Sequence, residues 1–381
     1  MKACLTSPGR FTAFDLGREL TRRGVLARMY TAYPMFKVDE DLKARSSARP
    51  WCLVAREMTA RLRLRHISRR LQISTMLGLD RWVAGRLEPC DVCHCMSGFG
   101  LATHQVARAR FGAMTVCDRG STHIVEQDRL LREEYDLWGA PFGGVDARVI
   151  ERELAEYELC DRIVVPSRFV ERSFLERGVP AGRVHRIPFG VDVRVFHPEP
   201  RQEGPFRILF VGRIGLRKGI GYLLQAAAAW HRAGTAELWL AGGIEPEAQP
   251  LLRRYEGAFT YLGQVPRDHL RWYYSQASVL VLPSIEEGLA LVLAQALACG
   301  LPVVATANTG AEDLVTDGRE GLLVPIRDVA ALQAAIDSLR TDGDLREHMR
   351  EAALRRASGL RGWSAYGDQV VALYASLIDA R

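Results

Sequence analysis

The chain has 381 residues, 48% of them apolar and 25% charged, with a formal net charge of +6. These values fit a soluble protein with two domains of ordinary size. They exclude membrane-spanning segments, since no apolar run approaches the ~20 residues such a helix needs. Eight cysteines spread over so long a chain do not suggest a secreted disulfide framework. The segment Met1 to Pro8 has too short an apolar part for a secretory signal, so a cytoplasmic protein is expected.

In chain order, Lys2 to Thr6 predicts a strand, Thr12 to Arg23 a helix stopping at Gly24, and Val25 to Tyr30 a second strand. A basic stretch expected to be helical follows. Asp91 to Met96 and Met114 to Cys117 predict strands separated by a helix over Thr103 to Arg110. Arg148 to Cys160 reads as a helix and Arg162 to Val165 as a strand. Strands alternating with helices imply a parallel sheet covered on both faces. From Pro188 to Pro205, proline and glycine interrupt any regular element, which marks a linker.

The pattern then restarts. Strands are expected over Arg207 to Val211, Glu237 to Ala241, Phe259 to Leu262, Val279 to Leu282, Pro302 to Ala305 and Gly321 to Val324. Helices are expected over Gly221 to Arg232 and near 266–275, 290–299, 328–340 and 343–357. The fold class is therefore α/β, with a Rossmann-like domain over 1–188, a linker over 189–205 and a second Rossmann-like domain over 206–360. A last helix in 361–381 is expected to pack back across the linker. A ligand belongs in the cleft where the carboxyl ends of the two sheets face each other.

Two clusters stand apart from that plan. The run Cys90-Asp91-Val92-Cys93-His94-Cys95 suggests a metal site. It is a single segment, however, whereas tetrahedral sites gather ligands from two, so a buried strand face is the expectation and no metal is assigned. Residues 1–110 hold 20 Lys/Arg against 9 Asp/Glu. Within them Arg56, Arg61, Arg63, Arg65, Arg69 and Arg70 alternate with leucine and isoleucine. Two readings stay open: a solvated helix face, or a helix lying on an anionic membrane surface. Nucleic acid is not an expected partner.

The most informative stretch runs from Pro283 to Thr306. Glu287 and Gly288 follow an apolar strand and open a helix, and Gln295 comes eight residues after Glu287. In an open α/β sheet this places an acidic group and helix N–H groups at the carboxyl end of a strand. Arg213 and Lys218 occupy the loop between Phe210-Val211-Gly212 and the next helix, where two cations can neutralise a pyrophosphate. Together with Ala241-Gly242-Gly243 and Tyr261-Leu262-Gly263-Gln264-Val265, these segments resemble the retaining family 4 glycosyltransferases in order and spacing. Family members have a two-Rossmann GT-B fold and a second glutamate where this chain has Gln295. The resemblance covers about 162–357 strongly and the N-terminal half more loosely.

The resemblance implies transfer of a sugar, with retention, from a nucleoside-diphosphate sugar to a glycan or lipid-linked acceptor, without metal or other cofactor. Arg213 and Lys218 would bind the diphosphate, beside Gly212. Gly263, Gln264 and Val265 would meet the base. Glu287 would hold sugar hydroxyls, Gly288, Leu289, Ala290 and Leu291 would offer backbone N–H groups, and Gln295 would hold the ribose. A neutral glutamine there predicts donor binding weaker by about 1 kcal/mol than a carboxylate gives. Gly9 and Arg10, in the loop after the first strand, would touch donor phosphate or acceptor, a plain tight turn being the alternative. His123 is the candidate histidine near the sugar and Asp118 an acceptor contact or its orienting group, against the alternative of a solvent-exposed loop histidine. Catalytic roles would thus fall to His123, Glu287, Arg213 and Lys218. Other classes to set against this are an inactive donor-binding partner subunit, a nucleotide-sugar epimerase and a phosphorylase.

Overall fold

The computed structural model describes residues 1–50, 65–142, 144–192 and 194–380. Arg56, Arg61 and Arg63 of the basic stretch lie outside these residues; Arg65, Arg69 and Arg70 belong to a helix, Arg65–Ala84. No described helix is long and apolar enough to cross a membrane.

Two parallel sheets organise the chain. The first contains β1 (Ala3–Ser7), β2 (Leu26–Thr31), β3 (Ser46–Ala48), β4 (Val92–Met96), β5 (Met114–Asp118), β6 (Arg162–Val165) and β7 (Val184–Arg186), in the order β3-β2-β1-β4-β5-β6-β7. The second contains β8 (Arg207–Val211), β9 (Glu237–Ala241), β10 (Thr260–Gly263), β11 (Val279–Leu282), β12 (Val303–Thr306) and β13 (Gly321–Val324), in the order β10-β9-β8-β11-β12-β13. The central strands of the second sheet, covered by helices on both faces, read as continuous apolar runs. β11 is Val-Leu-Val-Leu, buried at all four positions.

Both orders reverse direction once, between β1 and β4 and between β8 and β11. At such a switch point neighbouring strands send their connections to opposite sides, which opens a crevice at their carboxyl ends. In the second sheet the two loops flanking it are 212–219 and 283–290. Register pairs Val279 with Ile208 and Leu280 with Leu209, so these loops leave the sheet side by side.

The chain passes between the halves twice, and the two passages are joined where the Val191 N–H donates to the Arg361 carbonyl (3.2 Å). The last helix, Trp363–Asp379, buries Tyr366, Val370, Leu373, Tyr374 and Leu377 among Phe14, Leu16 and Leu20 of the first half. Its Tyr374 hydroxyl lies 2.7 Å from His94 Nδ1. Sequence reasoning passed over β3 and β7, three-residue edge strands without an apolar run. It also passed over helix Ile124–Leu137. The buried face of that helix includes Glu134, and its Leu130 packs into the core of the second half.

Candidate active site

The loop after β8 is folded tightly against the end of β11. Gly219 has φ +67, and a Cβ there would lie 1.9 Å from the Pro283 carbonyl oxygen, so only glycine lets the two loops close up. Lys218, one residue earlier, forms an ion pair with Glu287. Both side chains are largely covered. The Glu287 N–H donates to the Asn308 carbonyl (2.9 Å), and Asn308 Nδ2 donates to the Ile285 carbonyl (2.9 Å). A second turn therefore braces the first from behind. Of the N–H groups assigned to the donor, that of Ala290 is engaged by the Thr309 carbonyl (3.2 Å).

Arg213 projects into solvent, 80% exposed, and pairs with Glu245 at 2.7 Å. With Gly212, Gly242, Gly243, Gln264 and Val265 it lines a pocket of about 580 Å³. A second pocket, of about 480 Å³, lies between the halves and brings Arg10 and Phe11 together with Gly120, Phe189, Leu291 and Gln295. The Tyr274 hydroxyl donates to Gln295 Oε1 (3.0 Å). Arg10 is itself held by Asp39 (2.9 Å), and the Ser7 hydroxyl donates to the Gly9 carbonyl (2.8 Å). Of the predicted donor residues, Gly212, Arg213, Gln264 and Val265 line one recess and Arg10, Leu291 and Gln295 the other, whereas Gly9, Lys218, Gly263 and Glu287 to Ala290 line neither.

The two candidate residues of the first half, His123 and Asp118, are both buried. His123 is only 4% exposed and lines neither pocket. It is the N-cap of helix Ile124–Leu137: its Nδ1 accepts from the Val125 N–H (3.3 Å), and its ring packs on Tyr157 and Phe174. Burial, with the Arg119 and Arg177 charges, lowers its pKa to about 4, so near neutrality it is uncharged. Asp118 is likewise buried, with Oδ2 3.7 Å from His94 Nε2. The last helix roofs that region, and the carboxylate faces the core because a strand-end residue follows the pleat.

In the first half, the loop after β5 meets the second half through a residue that sequence reasoning passed over. Glu286 is fully buried. Its Oε1 accepts from Ser121 Oγ (2.7 Å), Thr122 N (3.0 Å) and Thr122 Oγ1 (2.9 Å). Its Oε2 accepts from Gln127 Nε2 (3.0 Å) and pairs with Arg217 (2.7 Å). Burial would raise its pKa, but Arg217 and these donors hold it down at about 2. Gln127 is in turn positioned by Arg119, whose guanidinium pairs with Glu153 (2.8 Å). A readable signal existed: the basic doublet Arg217-Lys218 faces the acidic doublet Glu286-Glu287.

The cysteine run forms, as expected, a buried strand face with Cys93 and Cys95 fully enclosed. Helix Leu101–Phe111 adds His104, giving three potential ligand atoms within 4.8 Å of one another. This cluster sits in the first half's core, outside both pockets.

Comparison with known proteins bears on this geometry. The family described as Glycosyltransferase Family 4 matches residues 11–195, and that described as Glycosyl transferases group 1 matches residues 205–342. A D-inositol 3-phosphate glycosyltransferase of Catenulispora acidiphila is 30% identical over 300 residues, 72% of this chain and 72% of the relative. Among solved structures, a sucrose-phosphate synthase of Thermosynechococcus elongatus superposes with a TM-score of 0.72 at 23% identity, covering all of both chains. The Anabaena protein HepE, crystallised with UDP, gives 0.71 at 15% identity over 99% of this chain and 100% of its own. The two-sheet arrangement is that of the GT-B glycosyltransferases.

Proposed function

Since this chain belongs to glycosyltransferase family 4, we propose that it moves a sugar from a nucleoside-diphosphate donor to an acceptor hydroxyl with retention at the anomeric carbon. The observation that carries this reading is the Lys218–Glu287 pair at the switch point of the second sheet. It sets a cation and a hydroxyl-binding carboxylate in contact at the carboxyl end of adjacent strands. A diphosphate leaving group gains negative charge as its bond to the sugar breaks, and a preorganised cation lowers the cost of that charge. Lys218 would take this role, and Arg213, released from Glu245, would add a second cation to the phosphates. Binding the phosphates frees Glu287 from Lys218 to accept hydroxyls of the sugar.

The acceptor enters from the other side, through the recess of Arg10, Phe11 and Gly120. Its hydroxyl attacks the face from which the diphosphate departs, and the leaving phosphate takes its proton. His123 is not needed in this scheme, and neither Glu287 nor another side chain serves as a covalent nucleophile. The reaction runs without a metal, the cations supplying the charge. A uridine nucleotide is the first donor to test, because a protein of the same fold was crystallised with UDP. The acceptor is a glycan, a lipid-linked sugar or a polyol phosphate, the last suggested by the relative's name. The basic stretch around Arg56 to Arg70 would hold the enzyme at an anionic membrane surface.

The test is turnover with a panel of nucleotide sugars, with chelator present, followed by Lys218→Ala and Arg213→Ala. Turnover with at least one donor, lost in Lys218→Ala, is expected. No binding of any nucleotide sugar, or wild-type rates in both variants, would overturn the assignment.

A further inference from the structure

A fully buried carboxylate is costly unless every lone pair is satisfied. Glu286 meets that condition only with donors from both halves of the molecule. Ser121, Thr122 and Gln127 come from the first half and Arg217 from the second. If the halves part, all the first-half donors leave together and Arg217 alone remains. The contact therefore favours the closed arrangement through charge-assisted hydrogen bonds, each roughly twice as strong as a neutral one.

The neighbouring residue makes this relevant to chemistry. Arg217 and Lys218 are adjacent on one loop, and Glu286 and Glu287 are adjacent on the other. The Ile285 N–H donates to the Arg217 carbonyl (2.9 Å), and Arg217 Nε donates to the Glu286 carbonyl (3.1 Å). Arg217 also reaches Ser121 Oγ (3.1 Å). One ion pair of the double doublet, Arg217–Glu286, thus meets the first half, and the other, Lys218–Glu287, lies one residue further along both loops. One residue further on, the Gly288 carbonyl accepts from Ser167 Oγ (2.5 Å) of the first half.

We propose that Glu286 is a positioning residue: it clamps the turn bearing Glu287 against the first half's loop 120–123 and the start of the helix that follows it, so that donor and acceptor are presented to each other in one fixed geometry. Its role is distinct from binding the donor. Glu286 touches neither pocket; it fixes how far apart the two substrates sit. Small misplacements of reacting groups are expensive, about 100-fold for 1 Å, so a clamp on this turn acts on transfer more than on donor affinity.

The experiment combines scattering and kinetics on the full chain with Glu286→Gln, Glu286→Ala and Gln127→Ala. Small-angle X-ray scattering reports closure and does not depend on the proposed reaction. Glu286→Ala should give a larger radius of gyration than the wild type, with unchanged far-UV circular dichroism. The kinetic half rests on the transfer reaction proposed above: kcat/KM for transfer should fall about tenfold or more, with the Kd for UDP within about threefold. Glu286→Gln should fall between the wild type and Glu286→Ala, since it keeps the shape and loses the charge. Gln127→Ala removes one first-half donor that lines neither pocket and guards against a misfolded Glu286→Ala; it should show the same pattern more weakly. Wild-type scattering and transfer in all three variants would overturn the proposal. So would a loss of UDP affinity matching the loss of transfer, which would make Glu286 part of the donor pocket. If the wild type itself binds no nucleoside diphosphate, the reaction assignment falls and scattering alone decides the clamp.

Discussion

Replacing Gly288 by alanine tests how closely the two halves must approach at the reacting centre. Gly288 does not have a positive φ, so its backbone accepts an alanine and the added methyl group is the only perturbation. An ideal Cβ would lie 2.0 Å from the Gly120 carbonyl oxygen, 2.7 Å from its carbon and 3.2 Å from the Ser121 nitrogen. Neither neighbour is a flexible side chain; both are backbone. Restoring ordinary contact requires the turn to retreat by roughly 1.4 Å, given normal separations of ~3.4 Å between such atoms. That movement carries Glu287 with it and disturbs the bond from Ser167 to the Gly288 carbonyl. At about 100-fold per ångström of misplacement, kcat/KM should drop by nearly three orders of magnitude, roughly 600-fold. Overpacking should also cost about 1–3 kcal/mol of stability. The assay is release of nucleoside diphosphate with a saturating acceptor, together with urea unfolding. Activity within about threefold of wild type would refute the reasoning, since it would mean that the halves need not touch here during turnover.

Gln295→Glu should tighten UDP binding about fivefold, because a carboxylate keeps the bond from Tyr274 and gives a second, charged acceptor to a ribose diol, worth about 1 kcal/mol. Unchanged or weaker affinity by calorimetry would show that residue 295 does not hold ribose. His123 should make the protein acid-sensitive. Burial, with Arg119 and Arg177, holds its folded pKa near 4 against an ordinary 6.5, so the unfolded chain takes the proton first. Its contribution is complete above pH 6.5 and is lost progressively as pH falls toward 4, by up to about 3 kcal/mol. Urea midpoints across that window should flatten in His123→Phe, and an unchanged slope would contradict the neutral, buried assignment. Replacing Arg56, Arg61, Arg63, Arg65, Arg69 and Arg70 by glutamine should abolish sedimentation with anionic liposomes; undiminished binding would remove the membrane proposal.

Much of this protein was legible before its structure. β6, β8, β9, β11 and β13 span the residues expected for them, because a parallel strand buried on both faces keeps an unbroken apolar stretch with no polar alternation to blur it. The residues Arg213, Lys218, Glu287 and Gln295 also stood out, since charged or polar groups at the ends of such strands have few structural uses. Local sequence likewise set the stop of the first helix before Gly24.

Tertiary structure alone decided which of these groups meet. Lys218 and Glu287 are far apart in the chain and touch because β8 and β11 are neighbours at a switch point, a fact of strand order that no local pattern encodes. His123 and Asp118 were expected in the cleft because they follow a strand. The cap of one helix and the roof formed by another turned both inward. Glu286, beside the residue that the motif singled out, is buried only because the first half closes over it. A carboxylate's role is set by the donors that surround it, and here those donors are Ser121 and Thr122 of one loop, Gln127 of the helix after it, and Arg217 of the other half.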